Sequence, residues 1–379
     1  MELPPLGLYI HLPWCERKCP YCDFNSHEID IIPESRYIDA LLRDLREDLP
    51  LVQHRTVATL FIGGGTPSLF SAGGIARLLR EIAHLVPLAP TLEATLEANP
   101  GSAEAGKFAA FREAGINRLS LGIQSFQDAQ LQALGRVHNA DQAHAAVDFA
   151  RAAGFDSFNI DLMHGLPGQS VAAARADLDT ALDCAPAHLS WYQLTIEPNT
   201  VFHKRPPLLP VEDALAAIQD DGERLLTSRG YGQYEVSAYS QPGFQCRHNL
   251  NYWSFGDYLG IGAGAHGKVT HADGRIQRYA KKRQPAQYMS SSTDTFRASS
   301  RVLNPDEIPG EFMLNALRLN EGFPVSLFEH RTGLDICVIQ PQLDQLLERG
   351  LLQRTADNIH TTDLGRRFLD SVVGEFFVQ

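Results

Sequence analysis

Six short runs of β-forming residues alternate with helical patterns through the first two-thirds of the chain. The strand candidates are residues 6–12, 57–62, 92–97, 118–122, 158–163 and 189–194. The helical candidates are residues 33–49, 72–85, 103–114, 140–153, 170–184 and 211–229. Consecutive βα units predict parallel strands joined by right-handed crossovers. We therefore predict an α/β fold built on a partial (β/α)6 barrel, with a doubly wound open sheet as the alternative.

The regular alternation stops near residue 240, which divides the chain into three predicted parts. Residues 1–240 form the barrel, and residues 241–304 are predicted to be an irregular segment and linker. Residues 305–379 form a smaller C-terminal domain. Its predicted elements are helices over 311–319, 327–332 and 340–349, a hairpin over 351–354 and 358–361, and a last helix from Asp363. Helices combined with a hairpin are typical of a winged-helix-like domain.

Charge and hydropathy limit where the protein acts. The formal net charge of -12 argues against general nucleic-acid binding. No apolar run approaches the roughly 18 residues that span a bilayer. We therefore expect no membrane span and, at most, peripheral contact with a membrane. The first residues contain neither a basic region nor an apolar signal core, which predicts a cytoplasmic protein.

Three of the six cysteines, Cys15, Cys19 and Cys22, fall within eight residues directly after the first predicted strand. The other three are scattered at positions 184, 246 and 337, which does not suggest a disulfide-stapled secreted domain. Thiolates hold iron–sulfur clusters. Three protein ligands leave one iron of a [4Fe–4S] cube open, and the amino and carboxylate groups of a methionine moiety fit that position.

Two other readings of the cysteines stay open at this point. A zinc site needs a fourth ligand, which His11 or His27 could supply. The thiols could also be unligated. The narrow Cys-x₃-Cys-x₂-Cys spacing favours the cluster.

Polar residues follow the other predicted strands at the point where each strand ends. They are Gly63, Gly64, Gly65 and Thr66 after the second strand, Glu97 and Asn99 at the third, Gln124 and Ser125 at the fourth, and Asp161 at the fifth. Functional groups of βα barrels gather at the carboxyl ends of the strands. We expect these residues to share one rim with the cysteines.

Each rim residue has a candidate task and a structural alternative. Glycines let a ligand approach the backbone. Glu97 and Asp161 can accept hydrogen bonds from ribose hydroxyls or an ammonium group, and Gln124 can donate or accept. Arg136 could pair bidentately with a carboxylate. Singly, each could be a structural residue, but their shared position favours ligand binding.

The segment Tyr9-Ile10-His11-Leu12-Pro13-Trp14-Cys15, continuing to Phe24, resembles the radical S-adenosylmethionine superfamily. Within it, the chain is similar to the branch that contains oxygen-independent coproporphyrinogen III oxidase and the HemW heme chaperones. The resemblance covers nearly the whole chain, including residues 63–67, 97–100, 122–126 and the C-terminal unit.

The resemblance implies a role for most of the rim residues. It implies a [4Fe–4S] cluster on Cys15, Cys19 and Cys22, and places Tyr21 near the adenine of S-adenosylmethionine. The implied contacts with S-adenosylmethionine are Tyr9, Gly64, Gly65, Thr66 and Glu97. Gln124, Arg136 and Asp161 match positions that bind a second S-adenosylmethionine in the oxidase.

Two features distinguish this chain from the oxidase. Phe24 stands where the oxidase motif has a further cysteine, and the cysteines follow a shorter N-terminal segment. A His-Asn-x-x-Tyr-Trp signature, with His248, Tyr252 and Trp253, resembles that of the heme-binding branch. Imidazole can ligate heme iron and aromatic rings can pack on a porphyrin. The implied function is a chaperone that binds heme and transfers it to an acceptor protein.

Two alternatives define the competing hypotheses. One is a true coproporphyrinogen III oxidase, which would need an electron donor. The other is a winged helix that binds RNA. The candidate recognition helix over 340–350 contains one basic residue, Arg349, against Asp344 and Glu348. We therefore expect no nucleic-acid partner, and expect the C-terminal unit to cover the barrel mouth or to dock a partner protein.

Overall fold

A computed structural model describes residues 3–101, 106–291 and 295–377. Its strands are β1 (Leu6–Leu12), β2 (Trp14–Cys15), β3 (His27–Glu28), β4 (Val57–Gly64), β5 (Leu88–Ala98), β6 (Arg118–Gln124), β7 (Phe158–His164), β8 (His188–Gln193), β9 (Gly232–Glu235), β10 (Ala238–Ser240), β11 (Asp257–Ile261), β12 (His266–Thr270), β13 (Ile276–Lys281), β14 (Arg297–Val302), β15 (Phe323–Pro324), β16 (Leu352–Arg354) and β17 (Asn358–Thr361). Among these residues, one sheet contains twelve strands in the order β14-β13-β12-β11-β1-β4-β5-β6-β7-β8-β10-β9.

The helices connect and cover these strands. They are α1 (Glu34–Val52), α2 (Ala72–Leu85), α3 (Phe108–Glu113), α4 (Asp128–Ala133), α5 (Ala140–Ala152), α6 (Val171–Asp183), α7 (Val201–Lys204), α8 (Glu212–Ser228), α9 (Arg247–Trp253), α10 (Pro285–Ser290), α11 (Ile308–Ala316), α12 (Val325–Thr332), α13 (Gln340–Glu348), α14 (Asp363–Arg367) and α15 (Leu369–Gly374). Short 3₁₀ helices cover Pro67–Leu69 and Ile336–Ile339. Residues 103–105 of the helix predicted over 103–114 lie outside the described residues.

The six predicted strands are all present, and each is parallel to the next in chain order, from β1 and β4 through to β8. These six strands therefore follow one another in chain order across the sheet, in one direction from β1. Right-handed crossovers in one direction place their helices on one face of the sheet, whereas a doubly wound sheet reverses its order. This strand order agrees with the barrel prediction and differs from the doubly wound alternative.

The strands alternate between an apolar outer face and a polar inner face. On β6, Leu119, Leu121 and Ile123 are completely buried in the main apolar core. Arg118, Ser120 and Gly122 alternate with them and face a cavity inside the sheet. Successive side chains of a strand point to opposite faces, so the apolar residues that hold the helices also turn polar residues inward. The inner face is the setting of the functional site.

The prediction that residues 241–304 are irregular is wrong. Within its described residues, this segment contains α9, α10 and four strands that extend the main sheet. Its first strand, β11, pairs in parallel with β1 on the side opposite β4. The short strands and the glycines at 260, 262, 264 and 267 hide the pattern in the sequence. The predicted divisions at residues 240 and 304 stay predictions.

A buried charge cluster attaches this added sheet to the first helix. Lys281 on β13 is fully buried and contacts Asp44 and Asp48 of α1, its Nζ lying 2.7 Å from Asp48 Oδ2. Asp44 also accepts hydrogen bonds from the Gly262 backbone N–H at 3.2 Å and the Tyr288 hydroxyl at 2.6 Å. The charge cluster thus connects α1 to β13, to Gly262 and to α10, each of which lies more than 200 residues later in the chain.

The C-terminal unit has its own apolar core. The Phe312 ring lies 5.0 Å from that of Phe323 and 5.2 Å from that of Phe328. The predicted helices and hairpin are present as α11 to α15, β16 and β17, while the winged-helix type stays a prediction. The unit contacts the rest of the chain through Arg318, whose guanidinium lies 4.2 Å from the Trp253 ring centroid on α9 and 3.1 Å from Glu235 Oε2 on β9. Its described residues contribute nothing to the cavity wall, so the predicted covering of the mouth is wrong.

We predict that Lys281→Met lowers the free energy of unfolding by roughly 3–5 kcal/mol, because the buried carboxylate of Asp44 loses the counter-charge of Lys281, whereas Asp48 keeps its ion pair with Arg297. Urea denaturation followed by circular dichroism measures the change. Lys282→Met is the matched control, since Lys282 is only half-buried and bonds to Ser291 Oγ at 3.0 Å. Equal losses in both variants would contradict this account of the cluster.

Candidate functional site

A cavity of about 410 Å³, open to solvent, lies inside the strands and under the loops that follow them. Its volume falls within the roughly 300–1,000 Å³ that small-molecule pockets usually measure. The structure brings eleven of the predicted site residues to its wall: Cys15, Cys19, Tyr21, Cys22, Gly64, Gly65, Thr66, Glu97, Gln124, Arg136 and Asp161.

The three rim cysteines are free thiols that face this cavity. Burial raises the pKa of Cys15 and Cys22, and the neighbouring thiols add to the effect. Cys22 Sγ lies 3.7 Å from Ser26 Oγ, and Cys19 Sγ lies 3.6 Å from Arg136 Nη1. Buried thiols beside a guanidinium are suited to holding a group whose charge offsets the cost of ionising them.

Among the described residues, no three His, Cys, Asp or Glu side chains converge as the ligands of one metal ion would. A zinc ion needs all its ligands within about 2.3 Å of one point. His11, a predicted fourth ligand in the zinc reading, has both ring nitrogens engaged: Nε2 with the Asn25 carbonyl and Nδ1 with the Tyr9 hydroxyl, each at 2.9 Å. Burial lowers the pKa of His11 to about 4. His27 Nε2 is buried without a hydrogen-bond partner among the described residues.

The glycine loop after β4 is packed against the cysteine loop. A Cβ at Gly65 would lie 2.5 Å from the Trp14 carbonyl oxygen, and one at Gly64, where φ is +120°, would lie 2.9 Å from the Leu12 carbonyl oxygen. The N–H groups of Gly65 and Thr66 donate to those two residues, to Leu12 and Trp14 respectively, at 2.8 Å. These two glycines therefore permit close approach of two protein loops, in addition to the predicted approach of a ligand.

Arg136 belongs to a chain of hydrogen bonds that sequence reasoning did not resolve. Its Nη2 donates to Asn99 Oδ1 at 2.6 Å and to the Gly122 carbonyl at 2.7 Å. Asn99 Nδ2 donates in turn to Thr66 Oγ1 at 2.9 Å. This chain connects the rims of β4, β5 and β6 to the cysteine loop. The predicted carboxylate partner of Arg136 would have to share the guanidinium with these contacts.

Two half-buried carboxyl groups, those of Glu97 and Asp161, face the cavity. Burial and the negative charge of Asp161 together raise the pKa of Glu97 to about 8, although the Gly64 N–H donates to the carboxylate at 3.1 Å. Burial also raises the pKa of Asp161, which accepts from Ser120 Oγ at 3.0 Å and Asn159 Nδ2 at 2.8 Å. Tyr9, a predicted contact, lies behind this wall; burial raises its pKa, and the nearby charge of Glu97 raises it further.

Gln124 occupies a strained position at the rim. Its φ is +70°, in the left-handed region that residues other than glycine seldom adopt, and the pairing of β6 with β7 is irregular between Leu121 and Gln124. Such strain costs about 1–3 kcal/mol and persists where the surroundings enforce it. It turns the Gln124 side chain toward the cavity, next to the space left by Gly122.

The His-Asn-x-x-Tyr-Trp motif lies at the opposite end of the barrel from the cysteines. It forms α9, which packs near the amino ends of β1 and β4: a Cβ at Gly7 would lie 3.3 Å from His248 Cε1, and Thr59 Oγ1 lies 2.9 Å from His248 Nδ1. Of the motif, Asn249 reaches the cavity wall that the described residues form, and His248, Tyr252 and Trp253 do not. Through Asn249, α9 lines the end of the cavity opposite the cysteines, and we call this end the floor.

His248 is held inside the protein. Its Nε2 lies 2.8 Å from the Tyr252 hydroxyl, and its ring stacks on Phe61 at 5.3 Å. Burial lowers the pKa of His248 to about 3, which keeps the ring neutral. Trp253 Nε1 is buried with no hydrogen-bond partner in the part of the chain that the structure describes. An interaction of His248 with iron would have to replace one of its two hydrogen bonds.

Sequence reasoning missed several polar residues of the inner face, chiefly Arg118, Asn159, His188 and Ser190. They lie on β6, β7 and β8 in alternation with buried apolar residues. A count of every second residue along the predicted strands would have found them, because strand residues two apart share a face.

Two family patterns match the chain: the Radical SAM superfamily over residues 9–181 and the HemN C-terminal domain over residues 303–368. The chain is 50% identical to the heme chaperone HemW of Escherichia coli, covering 100% of both chains. It is 33% identical to the Bacillus subtilis HemW, covering 97% of this chain and 98% of that one. Among solved structures, it resembles coproporphyrinogen III oxidase (HemN) from Escherichia coli, with a TM-score of 0.83 and 23% identity over 99% of this chain and 90% of that chain.

We predict that the contribution of Glu97 to the stability of the unliganded protein falls as pH rises from about 4.5 to about 8. Its folded pKa is about 8, above the ordinary value of 4.5, so the folded state binds more protons than the unfolded state in this range. Glu97→Gln removes that contribution. The free energy of unfolding of the variant, relative to that of wild type, should therefore increase by up to about 1.4 kcal/mol for each unit by which pH rises.

Urea denaturation at intervals between pH 5 and pH 9 measures the difference. Glu113→Gln, on an exposed helical position, is the control and should follow the wild type. If the difference in unfolding free energy between Glu97→Gln and wild type stayed constant with pH, the raised pKa of Glu97 would be contradicted.

Proposed function

The chain belongs to the HemW family of heme chaperones within the radical S-adenosylmethionine superfamily, and we propose that it binds heme and transfers it to an acceptor protein. The observation that carries this proposal is the cavity lined by the predicted cluster cysteines, in a chain that matches a heme chaperone over its whole length. Heme is the cargo, while an iron–sulfur cluster and S-adenosylmethionine are the cofactors that the superfamily implies.

We assign the cluster to Cys15, Cys19 and Cys22. The donor set fits, because three free, partly buried thiols face one cavity and Arg136 lies beside Cys19 to offset negative charge. When bound, a [4Fe–4S] cluster with an open iron supplies one-electron chemistry to S-adenosylmethionine. The fixed position of Arg136 between Asn99 and Cys19 suits it to this charge-balancing role better than to the predicted carboxylate.

We assign S-adenosylmethionine to the rim beside the cysteines. Gly64, Gly65, Thr66 and Glu97 line the cavity there, with Tyr21 opposite and Tyr9 supporting the wall from behind. Ionised Glu97 would accept hydrogen bonds from an ammonium group, and Thr66 is positioned by Asn99. The strained Gln124 and the half-buried Asp161 are proposed contacts for a second molecule of the same cofactor.

The cavity also offers apolar surface for a porphyrin. Phe24, which stands where the oxidase motif has a cysteine, is 61% exposed and lines the cavity. Phe61, Met163 and Leu194 add apolar wall. An exposed aromatic ring at a ligand opening is costly to leave in water and gains free energy when a flat apolar ligand covers it. This supports heme binding inside the cavity.

We infer that the protein acts in the cytoplasm with an acceptor protein as its partner, and with an electron donor if the cofactor is reduced. No helix among residues 3–101, 106–291 and 295–377 is long and apolar enough to cross a membrane. The proposal requires no nucleic-acid partner.

The central experiment is a hemin titration of the purified protein, followed in the Soret band, then mixing with apomyoglobin as a probe acceptor. We predict a saturable band near one equivalent and transfer of heme to the acceptor. The variant Cys15→Ser/Cys19→Ser/Cys22→Ser should lose the cluster absorbance after anaerobic reconstitution, whereas Cys337→Ser, at an exposed position of the C-terminal unit, should keep it.

Two outcomes would reject the proposal. One is the absence of saturable hemin binding. The other is formation of protoporphyrinogen when the reconstituted protein is incubated anaerobically with coproporphyrinogen III and S-adenosylmethionine, which would identify the oxidase instead.

The role of His248 as a heme ligand is tested by releasing its ring. Tyr252→Phe removes the hydroxyl that occupies His248 Nε2 and leaves the aromatic packing in place. If Nε2 ligates iron, we predict that this variant binds hemin about tenfold more tightly, since no hydrogen bond has to be broken, and that His248→Ala loses the low-spin Soret shift. An unchanged Soret spectrum in both variants would leave His248 a structural residue of the floor.

A further inference from the structure

The floor of the cavity contains a cation with no counter-ion in contact among the described residues. Arg118, the first residue of β6, is 3% exposed and lines the cavity. Its Nε is buried without a hydrogen-bond partner, and within residues 3–101, 106–291 and 295–377 its guanidinium makes no ion pair within 4 Å. A buried, unpaired charge costs several kcal/mol in a protein interior, so its presence calls for a partner.

The groups around Arg118 are already engaged with one another. Glu93 accepts hydrogen bonds from the backbone N–H groups of Arg247 at 3.2 Å and His248 at 3.0 Å, which fix the start of α9. His188 bonds to Asn159 Oδ1 at 2.7 Å and to the Tyr234 hydroxyl at 2.8 Å.

The remaining neighbouring acid, Asp161, is held by Ser120 and Asn159. Burial raises its pKa, and so weakens its repulsion of an anion. Burial lowers the pKa of Arg118, whereas the negative charges of Glu93 and Asp161 raise it without an ion-pair contact. The surrounding protein thus stabilises the cation at a distance and leaves its donors to the cavity.

Depth separates Arg118 from the cofactor rim. In the parallel register of β5 and β6, Arg118 pairs with Thr95, and Glu97 pairs with Ser120. The backbone of Arg118 is therefore two residues, roughly 7 Å, deeper than the level of Glu97. A ligand that reaches Arg118 has to pass the rim and extend toward α9, where Asn249 also lines the cavity.

We propose that Arg118 binds a carboxylate of the cargo, namely a propionate of heme inserted with its propionate edge toward the floor. The planar fork of a guanidinium matches a carboxylate through two parallel hydrogen bonds. In this orientation the apolar edge of the porphyrin faces Met163 and Phe24 on the cavity wall, while Phe61 lies at the level of Arg118. The inference rests on the proposed heme-chaperone function and specifies how that same cavity recognises its cargo.

The test compares hemin with hemin dimethyl ester, in which both propionates are masked, by Soret titration of the full-length protein. Wild type should bind hemin at least about tenfold more tightly than the ester. Arg118→Gln should bind hemin about tenfold more weakly and lose the preference for the acid, and Arg118→Lys should show an intermediate preference. Arg112→Gln, at an exposed helical position, should retain the wild-type preference.

A stability measurement separates this role from a structural one. Among the described residues Arg118 makes no ion pair that its removal would break, so the urea midpoint of unliganded Arg118→Gln should not fall below that of wild type. If that variant nevertheless fails to fold, Arg118→Lys decides: a reduced preference for hemin supports the proposal, and an unchanged one overturns it.

Failure of the proposed Arg118–propionate contact and failure of the proposed heme-chaperone function would give different results. Equal binding of hemin and its ester by wild type would overturn the inference and leave the chaperone function standing. Weakened S-adenosylmethionine binding in Arg118→Gln, with the hemin preference unchanged, would also overturn it and assign Arg118 to the cofactor. Absence of saturable hemin binding in wild type would reject the proposed function, and the inference with it.

Discussion

The alternation of side chains along six parallel strands determines most of this structure. One set of residues is apolar and packs under the helices, and the other set carries carboxyl, amide, hydroxyl and guanidinium groups into the space inside the sheet. Polar groups in such a space need partners, because each unpartnered one costs free energy. The hydrogen bonds from Ser120 and Asn159 to Asp161, and from Asn99 to Thr66, follow from this requirement. Where the protein leaves a group without a partner, a ligand can supply one.

The two ends of this interior differ in construction. At the rim, the loop that carries the thiols and the loop that carries the glycines are held together by backbone hydrogen bonds. At the floor, α9 is fixed by Glu93 at its start and by Thr59 and Tyr252 around His248. The proposed cofactor site at one end and the proposed cargo contact at the other therefore use different residues of one cavity.

Sequence reasoning reached the strands, their parallel order and the convergence of the cysteines with Gly64, Glu97 and Asp161, because each depends on local periodicity and on the position of strand ends. It did not reach features set by contacts distant in sequence. The segment after residue 240 reads as irregular because its strands are short, yet pairing with β1 makes it part of the sheet. His248 sits away from the rim for the same reason: its position follows from contacts with Thr59 and Phe61, which lie far earlier in the chain.

The parallel pairing of β1 with β11 has a consequence for the order in which the chain acquires structure. Residues 6–12 are made long before residues 257–261, and one edge of that strand stays unpaired until the later segment has been made. Chains are elongated at roughly 5–20 residues per second, so this edge is open for at least about ten seconds. An open edge is a template for pairing with another chain. The cysteine loop follows it directly, so loading of the proposed iron–sulfur cluster and protection of the nascent chain concern the same few residues.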